Sequence, residues 1–243
     1  MRSRIILVPL AFILAACNLP IVTPIATPSP LPKSTNTPKL TSTAAPTETQ
    51  FPTPSPSPTI TLYPEPDGCL KPPDDYTRVE VNAQTLNQRT LFMLQHAAKL
   101  YGGPIDVANL AITQGSYTDA VGLSFGTHAG GGAVDISVVA RERFEILWDE
   151  IPPLLQALRT AGFAAWLREA GELSPTSAVH IHAIAIGDAE ASADAEAQLT
   201  GEYGYFRGYN GLPPDFGGPA LDKYGEPVIC NWMRELGYAD LRD

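Results

Sequence analysis

Residues 179–186 read Val179-His180-Ile181-His182-Ala183-Ile184-Ala185-Ile186. The run is short, apolar and rich in isoleucine and valine, so it is expected to form a strand. In a strand, residues i and i+2 share a face. His180 and His182 therefore point the same way, and Ile181 points the other. Two imidazoles buried side by side without partners carry a heavy desolvation cost. A metal ion or a wet cleft removes that cost. The alternative is a half-exposed strand whose histidines simply face water.

A second pattern bears on the choice: His128-Ala129-Gly130-Gly131-Gly132-Ala133-Val134-Asp135. The three glycines leave room for a sharp turn and a close backbone approach. His128 then sits at the end of a loop and Asp135 on the following strand, free to converge on one point. Histidine binds metals as the neutral imidazole near physiological pH. Two imidazoles and one carboxylate make a three-ligand site with a position open to water. The remaining histidine, His96, lies in a helical stretch and reads as a surface or core-edge residue.

Outward from these patterns, helical spacing of Leu86, Leu91, Leu94, Ala98 and Tyr101 predicts a helix over 83–101, with Asn82 as N-cap and Gly102 as stop. Strands are expected over 109–115, 133–139 and 163–167. Residues 141–150 look helical. Pro152-Pro153 interrupt them, and 154–161 continue as a second piece. Asp188 is expected to cap an alanine-rich helix over 189–203, and 232–236 reads as a short helix. Strands and helices mix without regular alternation, which favours an α+β fold with a small antiparallel sheet and flanking helices.

The rest of the 243 residues is organised by composition. Arg2 and Arg4 precede an apolar run over 5–16 that is too short to span a membrane and suits a signal peptide. It ends Leu14-Ala15-Ala16-Cys17, which resembles a bacterial lipobox, with Cys17 the lipidated residue. An ordinary secretory signal is the alternative. Residues 18–66 are dominated by Pro, Thr and Ser and read as a disordered, semi-rigid tether. Residues 67–243 are one domain's worth of chain. The formal net charge of −10 argues against nucleic acid and anionic surfaces as partners. Cys69 and Cys230 lie near the ends of the domain. In an exported chain they are expected to be bridged, for roughly 4 to 5 kcal/mol in the chain-entropy model. Two free buried thiols are the alternative.

The spacing His128-x-x-Gly131-x-Ala133-x-Asp135, followed by His180-x-His182, resembles the zinc site of the LAS metallopeptidases. The nearest match is the D-Ala-D-Ala peptidase and Hedgehog branch, over about residues 80–190. The resemblance implies that fold, with zinc on His128, Asp135 and His182 and His180 as a catalytic neighbour. It also implies a peptide-bond substrate. Export and tether make that a peptidoglycan peptide, with the protein lipid-anchored to the outer face of a bacterial membrane and touching the membrane through the lipid alone. Gln114, Ser116 and Tyr117 are candidates to line the cleft.

Two departures matter. The family's catalytic Glu falls on Val179 by one spacing and on Thr176 by the other, while Glu169 and Glu172 match neither. The arginine that follows the Ser-x-Tyr type segment is missing, since Ser116-Tyr117 is followed by Thr118. Three readings therefore stand: a zinc peptidase or amidase of the cell wall, a zinc-stabilised cell-wall binding module without hydrolysis, and a metal-free structural lipoprotein.

Overall fold

A computed structural model describes residues 63–118 and 122–242. The signal segment, Cys17 and the tether as far as residue 62 lie outside the described residues. Among the described residues no helix is long and apolar enough to cross a membrane. The elements run β1 (Arg78–Val81), β2 (Gln84–Asn87), α1 (Gln88–Tyr101), β3 (Ile112–Gln114), β4 (Ala133–Ser137), β5 (Val139–Ala140), β6 (Glu145–Ile146), α2 (Ile151–Thr160), β7 (Phe163–Arg168), β8 (His180–Ala185), α3 (Ala193–Thr200) and α4 (Asn231–Glu235). The fold is mixed α+β, as the irregular mixture of strand and helix patterns predicts.

The main sheet has four antiparallel strands in the order β3-β4-β8-β7. Alternation along its strands sends side chains to two different environments. Val134 and Ile136 of β4, Ile181 and Ala183 of β8, and Phe163 and Leu167 of β7 share one core with α1 and α2. Ala133, Ile184, Ala164 and Trp166 face the opposite way and pack with α3, α4 and Tyr205-Phe206. Each strand changes character along that second face. The apolar residues give way to Asp135 on β4, to His182 and His180 on β8, and to Arg168 on β7. With both faces covered, all six residues of β7 are buried.

Several boundaries differ from expectation. Helix α1 starts at Gln88, and its N-cap is Asn87, whose side chain accepts from the Thr90 backbone N–H. Residues 78–87 form a hairpin instead, turning on Asn82 and Ala83, both with positive φ. That local turn captures Leu86 for the core without extending the helix. The Gly102 stop is as predicted, with φ 62°. Residues 141–147 are not helical, and 148–150 make only a short 3-10 turn ahead of α2. β5 and β6 pair across the turn 141–144, and Pro152-Pro153 open α2 where their missing N–H groups cost nothing. Asp188 does not cap α3; Ser192 does, accepting from the Ala195 N–H. The Asp188 carboxylate is buried and accepts from Asn87 Nδ2 at 2.8 Å. Cys69 and Cys230 form a disulfide across 161 residues, which ties the start of the described chain to the start of α4.

Candidate metal centre

Strand register assembles the site. Asp135 pairs with His182, and His182 in turn with Trp166 on β7. One step along the same face, Ser137 pairs with His180 and His180 with Arg168. Gln114 on β3 pairs with Asp135 from the other side. Two adjacent cross-strand rows thus place one carboxylate, two imidazoles and one guanidinium on one face. His128 reaches them from a short 3-10 turn, Thr127–Ala129.

Backbone packing fixes His128. Its Nδ1 lies 2.7 Å from the Gly115 carbonyl. A carbonyl only accepts, so Nδ1 carries the proton and Nε2 turns its lone pair inward. Gly115 holds that carbonyl in place because it runs tightly along β2: a Cβ there would meet the Thr85 carbonyl oxygen at 2.5 Å. The expected role of the glycine run is also seen. A Cβ on Gly130 would meet the Glu190 carbonyl oxygen at 2.3 Å, so the loop leading to Asp135 lies flush against 190–192.

The three expected ligands converge. His128 Nε2 is 3.3 Å from Asp135 Oδ1 and 3.4 Å from His182 Nδ1, and His182 Nδ1 is 2.8 Å from Asp135 Oδ1. Ligand atoms around a tetrahedral ion with bonds of about 2.0–2.1 Å lie about 3.3–3.4 Å apart. Two of the three separations meet that requirement. The third is a hydrogen bond, closed by the proton that His182 Nδ1 carries when no ion is there. His182 Nε2 is buried and has no partner, so the ring's polarity is answered through Nδ1 alone. His128, Asp135 and His182 can hold a metal ion. Glu65, Cys69 and Cys230 also lie close together, but those two sulfurs are spent in the disulfide.

Electrostatics fit a neutral-imidazole site. Burial pushes the His182 imidazole down to about 4, against the pull of Asp135. Burial alone would raise the Asp135 carboxyl, but the polar histidine rings against it, with the His182 Nδ1 hydrogen bond, hold it well below the usual carboxylate range. Burial brings Arg168 down to about 10, partly offset by the fields of Glu172, Asp135 and Asp222.

His180 stands beside the ligands. Its Nδ1 lies 2.8 Å from the Ala178 carbonyl, which again assigns the proton to Nδ1. Its Nε2 is 3.8 Å from Asp135 Oδ2, so a free lone pair faces the ligand cluster. A cavity of about 160 Å³ opens over these groups, walled by Gln114, Phe125, Arg168, Leu173 and Gln198 among others. Among the described residues Asp135 is the only carboxylate lining it.

Of the three polar residues expected along the cleft, Gln114 lines the cavity, and its Nε2 donates to Ser124 Oγ. Ser116 is buried and donates to the Ala133 carbonyl. Tyr117 donates to Glu190 Oε2 and accepts from Asn87. Neither lines the cavity. Glu169 pairs with Lys223, and Glu172 accepts from the Glu169 backbone N–H. His96 Nε2 bonds the Gly68 carbonyl, away from the cluster.

Arg168 and Gln198 are cavity residues that sequence reasoning missed. Arg168 was legible in principle: extending the 163–167 strand by one residue puts it on the face of Ala164 and Trp166. Gln198 had no signal, because only the folding of α3 across the sheet's second face brings it there. No protein-family model matches the chain, and no curated protein or solved structure matches it either.

Proposed function

We propose that this chain is a zinc-dependent hydrolase of a peptide bond in the cell wall. The observation that carries this reading is the convergence of His128 Nε2, Asp135 Oδ1 and His182 Nδ1 within 3.4 Å of one another, beside a third imidazole, that of His180, with a free lone pair. His128, Asp135 and His182 would hold a zinc ion, which when bound would supply an acidified water and polarisation of a carbonyl oxygen. The chain's own residues do the rest. His180 Nε2 accepts the proton of the attacking water and later returns it to the leaving amine. The Ala178 carbonyl holds that ring in the accepting tautomer. Asp135 Oδ2 stabilises the imidazolium that forms. Phe125 and Leu173 restrict bulk water at the cavity wall. The cell wall as the setting rests on the sequence: a signal segment, the lipobox cysteine Cys17 and a proline-rich tether.

The test is digestion of a muropeptide panel by zinc-loaded protein. Cleavage that stops with EDTA is expected. His180→Ala should cut turnover by about 100- to 10,000-fold while keeping about one zinc per chain. His182→Ala should lose the zinc. The zinc-stabilised binding module draws support from the single carboxylate in the cavity. It replaces the hydrolase if a zinc-loaded protein binds muropeptides and leaves all of them uncut.

A further inference from the structure

Three arginines are buried among the described residues: Arg89, Arg159 and Arg168. The first two are answered by carboxylates. Arg89 Nη1 lies 2.9 Å from Asp74 Oδ1, and Arg159 Nη2 lies 2.5 Å from Asp222 Oδ2. Arg168 is 2 % exposed, and among the described residues it has no carboxylate within ion-pair distance. Asp222, whose field reaches it, is committed to Arg159, and Glu172 acts on it only through space. Its hydrogen bond is a single one, from Nη1 to the Asn210 carbonyl at 2.8 Å. The guanidinium packs over the Trp166 ring at 5.4 Å and feels the field of Asp135, but a buried cation without an ion-pair partner still costs several kcal/mol. This one lines the same cavity as the three candidate ligands, directly across from His180 in the strand register, where side chains share a face.

A second unanswered group sits in the same wall. Gln198 is 4 % exposed, and its Oε1 is buried without a partner. A divalent ion on the ligands, with Arg168 beside it, would outweigh the one negative charge of Asp135. The cavity is then electropositive within a chain of net charge −10, which favours anions there. The planar guanidinium fork matches a carboxylate through two parallel N–H···O bonds.

We propose that Arg168 is the specificity-determining residue of this cavity and pairs with a carboxylate on the ligand, adjacent to the group that lies over His128, Asp135 and His182. The Gln198 amide answers a neighbouring polar group of the same ligand. Carboxylate pairing deepens the hydrolase reading and rests on it only for the identity of the adjacent bond. Recognition itself requires no turnover.

The experiment therefore reads binding. Zinc-loaded protein is titrated with N-acetylglycine and with N-acetylglycinamide, which differ only in the carboxylate. Wild type is expected to prefer the acid at least tenfold. A carboxylate that binds the ion directly still does so in Arg168→Met, so the preference should shrink several-fold there and recover in part in Arg168→Lys. An unchanged preference in a folded Arg168→Met protein overturns the proposal, as does equal binding of acid and amide by wild type. Inorganic phosphate binding more tightly than N-acetylglycine overturns it too. Should Arg168→Met fail to fold, the wild-type Arg168 Nε–Hε resonance is followed with and without zinc. A shift with the acid and none with the amide supports the pairing; no shift in either state refutes it. Uncut muropeptides alongside a clear carboxylate preference remove the hydrolase reading and leave the Arg168 site standing.

Discussion

At His182 the two ring nitrogens have opposite fates. Nδ1 meets Asp135, and Nε2 is buried with nothing to bond. Protonating this ring in the metal-free fold buries a full charge, which is why its pKa falls from the ordinary 6.5 to about 4. Between those values the unfolded chain binds more protons than the folded one, so stability falls as pH falls through that window. Asp135 acts in the same direction, since the histidine rings against it favour the charged carboxylate. Thermal melts in EDTA should therefore show Tm dropping as pH is lowered from about 6.5 toward 4. A His182→Gln variant should show a flatter profile over the same range. His180, by contrast, keeps a free Nε2 because the Ala178 carbonyl binds the other nitrogen. One strand thus carries two histidines in different hydrogen-bonding states, set by the partner of each Nδ1.

At the scale of elements, the loop between His128 and Asp135 works by fitting closely against its neighbours. The Gly131 N–H donates to the Glu190 carbonyl at 2.7 Å, and Gly130 leaves no room for a side chain against 190–192. Gly130→Ala is expected to cost about 1–3 kcal/mol through overpacking. It should also weaken metal uptake, because the displaced loop carries His128. Gly122→Ala is the control: a Cβ there meets nothing within 4 Å, so its stability and metal content should match wild type. Denaturant melts and elemental analysis of the two variants check both statements. The hairpin β1–β2 has a comparable supporting role. It braces Gly115, through Gln84 Oε1 and the Thr85 backbone, and Gly115 in turn orients His128. A helix running over 83–101 would leave that carbonyl without its brace.

Across the whole molecule, one sheet serves two cores. Its first face closes against α1 and α2, and its second is apolar only where α3 and α4 cover it. The rest of that face becomes the cavity. The disulfide ties the start of the described domain to α4 by joining Cys69 to Cys230 across 161 residues. Replacing both cysteines with serine should remove about 2–5 kcal/mol of stability. For a domain of this size that lowers Tm by about 2–4 °C per kcal/mol, readable by calorimetry against the oxidised wild type.

The sequence by itself marked His128, Asp135 and His182 as residues that could hold a metal ion, and Cys69 and Cys230 as a candidate pair. It also determined the strand that carries two of the histidines and the α+β class. These are legible because alternation, glycine runs and residue chemistry act over a few positions. The hairpin at 78–87, the β5–β6 turn and the Ser192 cap were misread for a related reason. Leu86 fits a helix face as well as a strand, residues 141–150 look helical until β5 and β6 find each other, and several capping residues compete at 188–192. Only the tertiary structure decided which polar groups share the cavity. Sheet order brings β7 beside β8 and so Arg168 beside His180, and the packing of α3 brings Gln198. The same packing leaves Ser116 and Tyr117 bonded elsewhere. Contacts between residues tens of positions apart depend on how whole elements pack, and no local pattern records that.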